Sequence, residues 1–198
     1  MNTCEDFTAI AEFGAGDGSP VINSLLRSQF NGLINGYELN SKACEVAQFR
    51  IERYKLSHKY VVHNSCFLNK DWQSEANYLI SNMAALHGGM DGALITKQLL
   101  AMNCQNAMLM ISAYCDPVGT IEYAIAQGYQ VEDFVTSPMG FGYYSSQPKV
   151  KERIAELRRQ NQAFYSQNIY ILAGVLFKKH HNLKVDLSTE LIKIMTAL

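Results

Sequence analysis

The sequence predicts an α/β protein whose mostly parallel sheet is covered by helices on both faces. Three observations support this fold class. Strand-like and helix-like segments alternate along most of the chain, an order that is typical of parallel strands joined by helical crossovers. A glycine-rich turn joins the first strand to the first helix. The 198 residues, of which 48% are hydrophobic and 18% charged, predict a single globular domain, 1–198, with a full core.

The first part of the chain predicts two strand–helix pairs. The apolar run Thr8–Phe13 predicts the first strand. Pro20–Gln29 predicts the first helix, with Ser19 as its cap because a hydroxyl can accept a hydrogen bond from a free backbone N–H. Leu33–Leu39 predicts the second strand, and Ser41–Tyr54 predicts a helix because apolar residues recur on one of its faces.

The alternation continues to the end of the chain. Four further strands are predicted at Lys59–His63, Tyr78–Ser81, Ala107–Ser112 and Gln130–Thr136, and three helices at Gly92–Met102, Val118–Gln127 and Val150–Phe164. A long final strand, Asn168–Lys178, is rich in β-branched and aromatic residues and raises the number of strands to seven. The tail 180–198 has apolar residues at helical spacing, which predicts packing on its own domain or a contact in a homodimer.

The turn after the first strand carries the strongest functional signal. Glu12 is followed by Gly14, Gly16 and Gly18, and glycine allows both a tight turn and a close approach of the backbone to a ligand. Such a loop between a strand and a helix usually holds a nucleotide-like molecule. Glu38, at the end of the second strand, is then placed to accept hydrogen bonds from both hydroxyls of a ribose.

This spacing resembles motif I of the class I S-adenosylmethionine-dependent methyltransferases, an acidic residue followed by G-x-G-x-G. A dinucleotide fingerprint would need its third glycine at position 19, where Ser19 stands. The resemblance implies a Rossmann-like three-layer sandwich with a seven-stranded sheet, whose antiparallel last strand lies between the fifth and the sixth. It also implies S-adenosylmethionine as the cofactor, held by Glu12, Phe13, Gly14, Ala15, Gly16, Gly18, Glu38, Leu39, Asn64, Ser65, Cys66 and Asn82.

The resemblance also implies where the methyl group meets its acceptor, directly after the fourth strand. Members that methylate nucleobase or glutamine amines often carry Asn/Asp-Pro-Pro-aromatic there, whereas this chain has Asn82 without the prolines or the aromatic residue. Asn82 is a candidate catalytic residue. His87 is the histidine best placed to act as a base, with an exposed loop histidine as the alternative interpretation.

The segment 137–164 predicts a cap over the acceptor. Its aromatic residues Phe141, Tyr143 and Tyr144 are predicted to contact a planar or cationic substrate, and packed surface aromatics are the alternative. In the charged helix within this segment, Glu152 and Glu156 interleave with basic residues. That pattern favours a solvated face over a phosphate-binding patch.

Composition narrows the range of functions. The net charge of −1 argues against a general nucleic-acid binder, so we expect a small-molecule acceptor rather than a nucleic acid. No apolar run reaches the roughly 20 residues of a membrane span, and no secretion signal is visible. The five cysteines form no C-x-x-C pair, which predicts that no metal is bound and that the thiols are reduced in the cytoplasm.

We therefore predict an S-adenosylmethionine-dependent methyltransferase that moves a methyl group to a nucleophilic oxygen or nitrogen atom and releases S-adenosylhomocysteine. Three alternatives stay open: a protein or RNA methyltransferase, a cofactor-binding subunit without turnover, and, more weakly, a nicotinamide-dependent oxidoreductase. The sequence does not identify the acceptor, because one fold serves many acceptors.

Overall fold

The computed structural model describes residues 8–69, 76–81, 92–179 and 185–198. By its internal contacts the chain divides into two compact units, Met1–Asn82 and Met83–Leu198. The positions of the helices and strands in each unit follow from the alternation of apolar segments and turns in the sequence.

The described residues of the first unit form four parallel strands and two α-helices. Its elements are β1 (Ala9–Phe13), α1 (Ser19–Arg27), β2 (Leu33–Glu38), α2 (Ser41–Arg53), β3 (Tyr60–Asn64), a 3₁₀ turn at Phe67–Asn69 and β4 (Tyr78–Ser81). β1 pairs in parallel with both β2 and β4, and β2 pairs in parallel with β3. The strand interiors bury Ile10, Ile34 and Leu79, so this unit has a core beneath its helices.

In the second unit, the part of the chain that the structure describes forms three strands and four helices. Its elements are α3 (Leu94–Ala101), β5 (Asn106–Ser112), α4 (Pro117–Ala126), β6 (Gln130–Gly140), α5 (Pro148–Arg159), β7 (Ile169–Lys178) and α6 (Ser188–Met195). β7 pairs antiparallel with β5 on one side and with β6 on the other. α6 packs against α4 and buries Leu191 and Met195, so the tail packs on its own unit.

The strands follow the order β3-β2-β1-β4-β5-β7-β6 in a seven-stranded sheet. The predicted fold class is therefore confirmed, including the antiparallel last strand between the fifth and sixth strands. Among the described residues, no helix combines the length and the apolar character that a membrane crossing requires.

Several boundaries differ from the prediction, and three of these differences follow from local backbone geometry or sheet position. Gly18, in a left-handed conformation, caps α1, and Ser19 is the first helical residue rather than the cap. β6 continues through Pro138 to Gly140, four residues beyond the predicted end. A proline is tolerated there because β6 is the edge strand and its outer side needs no N–H donor. α5 ends at Arg159, five residues early, and Asn161 shortly beyond it has a φ of 58°.

Candidate cofactor site

The glycine loop joins β1 to α1 and is hydrogen-bonded to the neighbouring strand β2. Gly14, Gly16 and Gly18 have φ angles of 71°, 55° and 72°, which only glycine adopts without strain. The N–H groups of Gly14 and Ala15 both donate to the carbonyl oxygen of Tyr37 in β2, at 3.0 and 3.2 Å. The loop therefore keeps its shape through backbone contacts with β2.

The three glycines do not have the same surroundings. A Cβ atom added at Gly16 would meet nothing within 4 Å, whereas one at Gly18 would lie 3.3 Å from carbon atoms of Ala47, Ile22 and Tyr60. Gly16 thus leaves open space in front of the loop, and Gly18 allows close packing of the loop on α1, α2 and β3. Of these two glycines, only Gly16 has room for a ligand beside it.

Glu38 ends β2 and lies next to this open space. Its two carboxylate oxygens accept hydrogen bonds from the backbone N–H groups of Gly16, at 3.0 Å, and Asn40, at 2.8 Å. These two bonds fix the orientation of a half-buried carboxylate. Since each carboxylate oxygen can accept two hydrogen bonds, Glu38 keeps one acceptor position on each oxygen for a further donor.

The segment after β3 braces the end of β2. The Asn64 side-chain amide donates to the carbonyl oxygens of Glu38 and Leu39, at 3.0 and 3.1 Å, and the Ser65 N–H donates to that of Glu38 at 3.1 Å. Both amide hydrogens of Asn64 are thus bonded to the backbone, and its contact with a cofactor stays a prediction. The Ser65 hydroxyl oxygen is buried without a hydrogen-bond partner in the described part of the chain, and Cys66 is a half-buried free thiol.

Glu12 lies beneath the loop instead of in front of it. It is only 2% exposed and accepts a 2.6 Å hydrogen bond from the Tyr60 hydroxyl in β3. Burial raises the pKa of Glu12 to about 7, against a smaller opposing effect of the Tyr60 hydrogen bond. Gly36 makes room for this pair, because a Cβ there would come within 3.1 Å of Glu12 and Tyr60 and 2.9 Å of Ala15.

Arg50 in α2 also stabilises the loop. The Arg50 guanidinium bonds to the carboxylate of Asp17, to the backbone carbonyl of Asp17 at 3.3 Å, and to the hydroxyl of Ser19. Asp17 also accepts a hydrogen bond from the Ser19 N–H at 3.0 Å. These bonds to Ser19 and to Arg50 lower the pKa of Asp17 and hold the end of the loop against α2.

Three further predicted cofactor residues, Phe13, Ala15 and Leu39, also belong to the first unit. Phe13 is half-buried, and its ring lies 5.3 Å from that of Phe67, which also contacts Tyr37 edge-on. Ala15 is buried and Leu39 is 72% exposed. The first unit thus brings together the loop, Glu38 and the segment 64–66.

The other predicted residues lie outside the described ranges or belong to the second unit. Asn82 and His87 lie outside the described residues. In the second unit, Phe141 packs against Tyr114, Tyr165 and Tyr170 with ring centroids 5.3–5.8 Å apart. Tyr143 is 89% exposed and Tyr144 is half-buried. Residues 137–140 of the predicted cap belong to β6.

The contacts of Tyr60 and Arg50 were not predicted. Tyr60 is 48 residues from Glu12 and Arg50 is 33 residues from Asp17, so no local pattern connects them. Gly36 was the available signal, since an isolated glycine inside a strand often marks a close approach of another group. Within the described ranges, no three His, Cys, Asp or Glu side chains group as a metal site would require.

Comparison with solved structures shows extensive similarity of fold at low sequence identity. TYW2 of M. jannaschii, solved in complex with AdoMet, is 12% identical, with a TM-score of 0.59 over 90% of this chain and 72% of that one. The B. subtilis tRNA methyltransferase TrmK is 13% identical, with a TM-score of 0.57 over 90% and 63%. A precorrin-6y C5,15-methyltransferase from Geobacter metallireducens is 15% identical, with a TM-score of 0.54 over 90% and 82%.

No model of a protein family matches the sequence, and no curated protein does. The structural matches therefore establish the fold, which this chain shares with TYW2, TrmK and the precorrin methyltransferase. The arrangement of the loop and Glu38 provides the argument for function, because a fold by itself serves many activities.

Proposed function

We propose that the glycine loop, Glu38 and the segment 64–66 bind S-adenosylmethionine, and that the chain transfers its methyl group to a nucleophilic oxygen or nitrogen atom. The observation that carries this proposal is the position of the Glu38 carboxylate. Bonds from Gly16 and Asn40 hold it at the end of β2, and one acceptor position stays available on each oxygen. Two neighbouring ribose hydroxyls supply the two donors that such a carboxylate can bind.

The other residues fit the same cofactor. Gly16 leaves space beside Glu38, where any side chain would intrude. The buried hydroxyl of Ser65 lacks a partner among the described residues and can donate to a ring nitrogen of adenine. The exposed Leu39 side chain offers an apolar surface to the adenine ring. TYW2, which shares the fold, was solved with AdoMet bound.

Bound S-adenosylmethionine supplies a methyl group that is already activated on a sulfonium, so the protein's task is to position the reactants and exclude water. Glu38 would hold the ribose hydroxyls, and the glycine loop would line the ligand with its backbone. The role of Asn82 and His87 at the acceptor stays a prediction, as do a cytoplasmic location and a homodimer.

The acceptor class is a separate question. The net charge of −1 led us to expect a small molecule, but a net charge averages over the whole surface and does not exclude a local basic region. The similar fold of TrmK, a tRNA methyltransferase, does not favour a small molecule. We therefore retain RNA beside a small molecule as the acceptor.

Calorimetric titration with S-adenosylhomocysteine tests the cofactor. We expect micromolar binding that Glu38→Ala weakens by about tenfold or more, the effect of losing a charged hydrogen-bond acceptor. Glu45→Ala, which removes an exposed carboxylate from α2, is the matched control and should bind like the wild type. NADH should not bind.

Three results would count against the proposal. These are absence of S-adenosylhomocysteine binding by folded protein, equal effects of the two substitutions, or a preference for NADH. Binding without methyl transfer to any member of a panel of RNAs, proteins and small molecules would instead support the cofactor-binding subunit.

A further inference from the structure

We propose that one face of α5 is a binding surface for single-stranded RNA, which deepens the proposed function by naming the acceptor class. The segment 143–165 has five basic side chains and two acidic ones, an excess of three positive charges in a chain whose net charge is −1. Positive charge is therefore concentrated in this segment, and the rest of the chain is net negative.

The basic residues of α5 are not spread evenly around the helix. At about 100° per residue, Lys151, Arg158 and Arg159 fall within an arc of about 100°, with Ala155 between them. All three are exposed, and none forms an ion pair within the described part of the chain. We call these three residues the basic stripe.

The two carboxylates of the helix lie outside this arc. Glu156 forms an ion pair with Arg153 on the other flank. Glu152 precedes Arg159 by seven residues, which is roughly 10 Å along the helix axis. The helix thus separates a flank that holds the Arg153–Glu156 ion pair from the basic stripe. The three cations of the stripe form no ion pair in the described residues, and the exposed Glu152 lies at its edge.

An aromatic surface adjoins the stripe. The Arg158 guanidinium lies 4.4 Å from the centre of the Tyr165 ring, and the Tyr165 ring lies 5.3 Å from that of Phe141. An Arg guanidinium plane beside an aromatic ring is a surface on which unstacked bases stack. Positive charge alone would suit any polyanion, but together with stacking groups it fits a single-stranded nucleic acid, and RNA is the one that the proposed function retains as an acceptor.

Fluorescence anisotropy with a fluorescein-labelled oligouridylate of about 12 nucleotides tests the surface at several salt concentrations. The wild type should bind at low salt and release the RNA as salt rises. Lys151→Ala and Arg159→Ala should each reduce the slope of log affinity against log salt by about 0.7, the value for one phosphate contact to a single strand. Lys149→Ala removes the same charge from the paired flank and should leave the slope unchanged.

Two substitutions of Arg158 distinguish the contribution of charge from that of stacking. Arg158→Lys keeps the charge, so the salt slope should stay the same, while the loss of the planar group should lower the affinity by about fivefold. Arg158→Ala should reduce both the slope and the affinity. All of these side chains are exposed, so the variants should remain folded, which circular dichroism would check.

Three outcomes would overturn the inference. The first is that Lys149→Ala weakens binding as much as Lys151→Ala, and the second is that a labelled oligoglutamate of equal charge binds more tightly than the RNA. The third is that protein which binds S-adenosylhomocysteine does not bind the RNA, and this leaves the proposed function standing. If neither ligand binds, the proposed function fails as well.

Discussion

The buried pair of Glu12 and Tyr60 predicts that stability falls as the pH rises. The pKa of Glu12 is about 7 in the folded protein, compared with an ordinary value of 4.5, chiefly because burial disfavours the charged form. Between those two pH values the unfolded chain releases a proton that the folded protein keeps. The free energy of unfolding therefore decreases across this interval, by about 3 kcal/mol in total, and changes no further from this group above pH 7.

The substitution Glu12→Gln isolates this contribution. A glutamine oxygen can still accept the hydrogen bond from Tyr60, but it does not titrate. Urea unfolding followed by circular dichroism, at intervals between about pH 4.5 and pH 8, gives the free energy of unfolding of both proteins. The difference in free energy of unfolding between the variant and the wild type should rise by about 3 kcal/mol, in favour of the variant, from the acidic to the alkaline end of the range.

Two further variants make the experiment specific. Glu45→Gln removes an exposed carboxylate from α2 and should leave the pH dependence of the wild type in place. Tyr60→Phe removes the only hydrogen bond that the structure gives to the Glu12 carboxylate among the described residues. Tyr60→Phe should lower the free energy of unfolding by about 1–3 kcal/mol, and the effect should be largest at alkaline pH, where the Glu12 carboxylate is charged. A difference between Glu12→Gln and the wild type that stays constant with pH would refute the reasoning.

The other predictions concern the loop. Gly16→Ala should fold with a loss of about 1 kcal/mol for the left-handed φ, and S-adenosylhomocysteine affinity in calorimetry should fall by about tenfold because the methyl group fills the ligand space. Gly18→Ala should act mainly on stability. Its Cβ would meet packed carbon atoms, so the free energy of unfolding measured in urea should fall by about 1–3 kcal/mol, with a smaller change in affinity. Arg50→Met should weaken S-adenosylhomocysteine binding by about fivefold at most, because the Arg50–Asp17 ion pair is partly exposed, and Arg50→Lys should restore part of the loss. Equal effects of the two glycine substitutions on affinity would contradict the separate roles of Gly16 and Gly18.

Much of the fold could be predicted because its elements are encoded by local patterns. β4 occupies the predicted residues, and β1, β2, β3, β5 and β7 lie within one residue of the predicted ends. The predicted boundaries are wrong where contacts with distant parts of the chain determine the backbone conformation. Pro138 reads as the end of a strand, yet it is paired with Ile171 because β7 supplies a partner and the outer side of β6 needs none. The early end of α5 was not visible either, because Asn161 adopts a left-handed φ that its residue type allows but does not require.

The candidate site, too, could be predicted only in part from local sequence patterns. The loop and Glu38 follow from spacing, because a strand, a turn and a helix place them in order along the chain. The contacts of Tyr60 with Glu12 and of Arg50 with Asp17 depend on the packing of β3 and α2, which spacing does not specify. The role of the Asn64 amide was also invisible, since its partners are backbone carbonyls and carry no sequence signal.

These non-local contacts explain how a loop with three left-handed residues keeps a defined shape. Each glycine loses more conformational entropy on ordering than another residue would, so an unbraced loop of this kind would be mobile. Here Tyr37 fixes its start, Glu38 its middle and Arg50 its end, and all three contacts form within the protein itself. A ligand that meets such a loop does not have to order it, which leaves more of its interaction energy for affinity. We infer that these contacts set how tightly S-adenosylmethionine binds, whereas the basic stripe proposed on α5 concerns the acceptor.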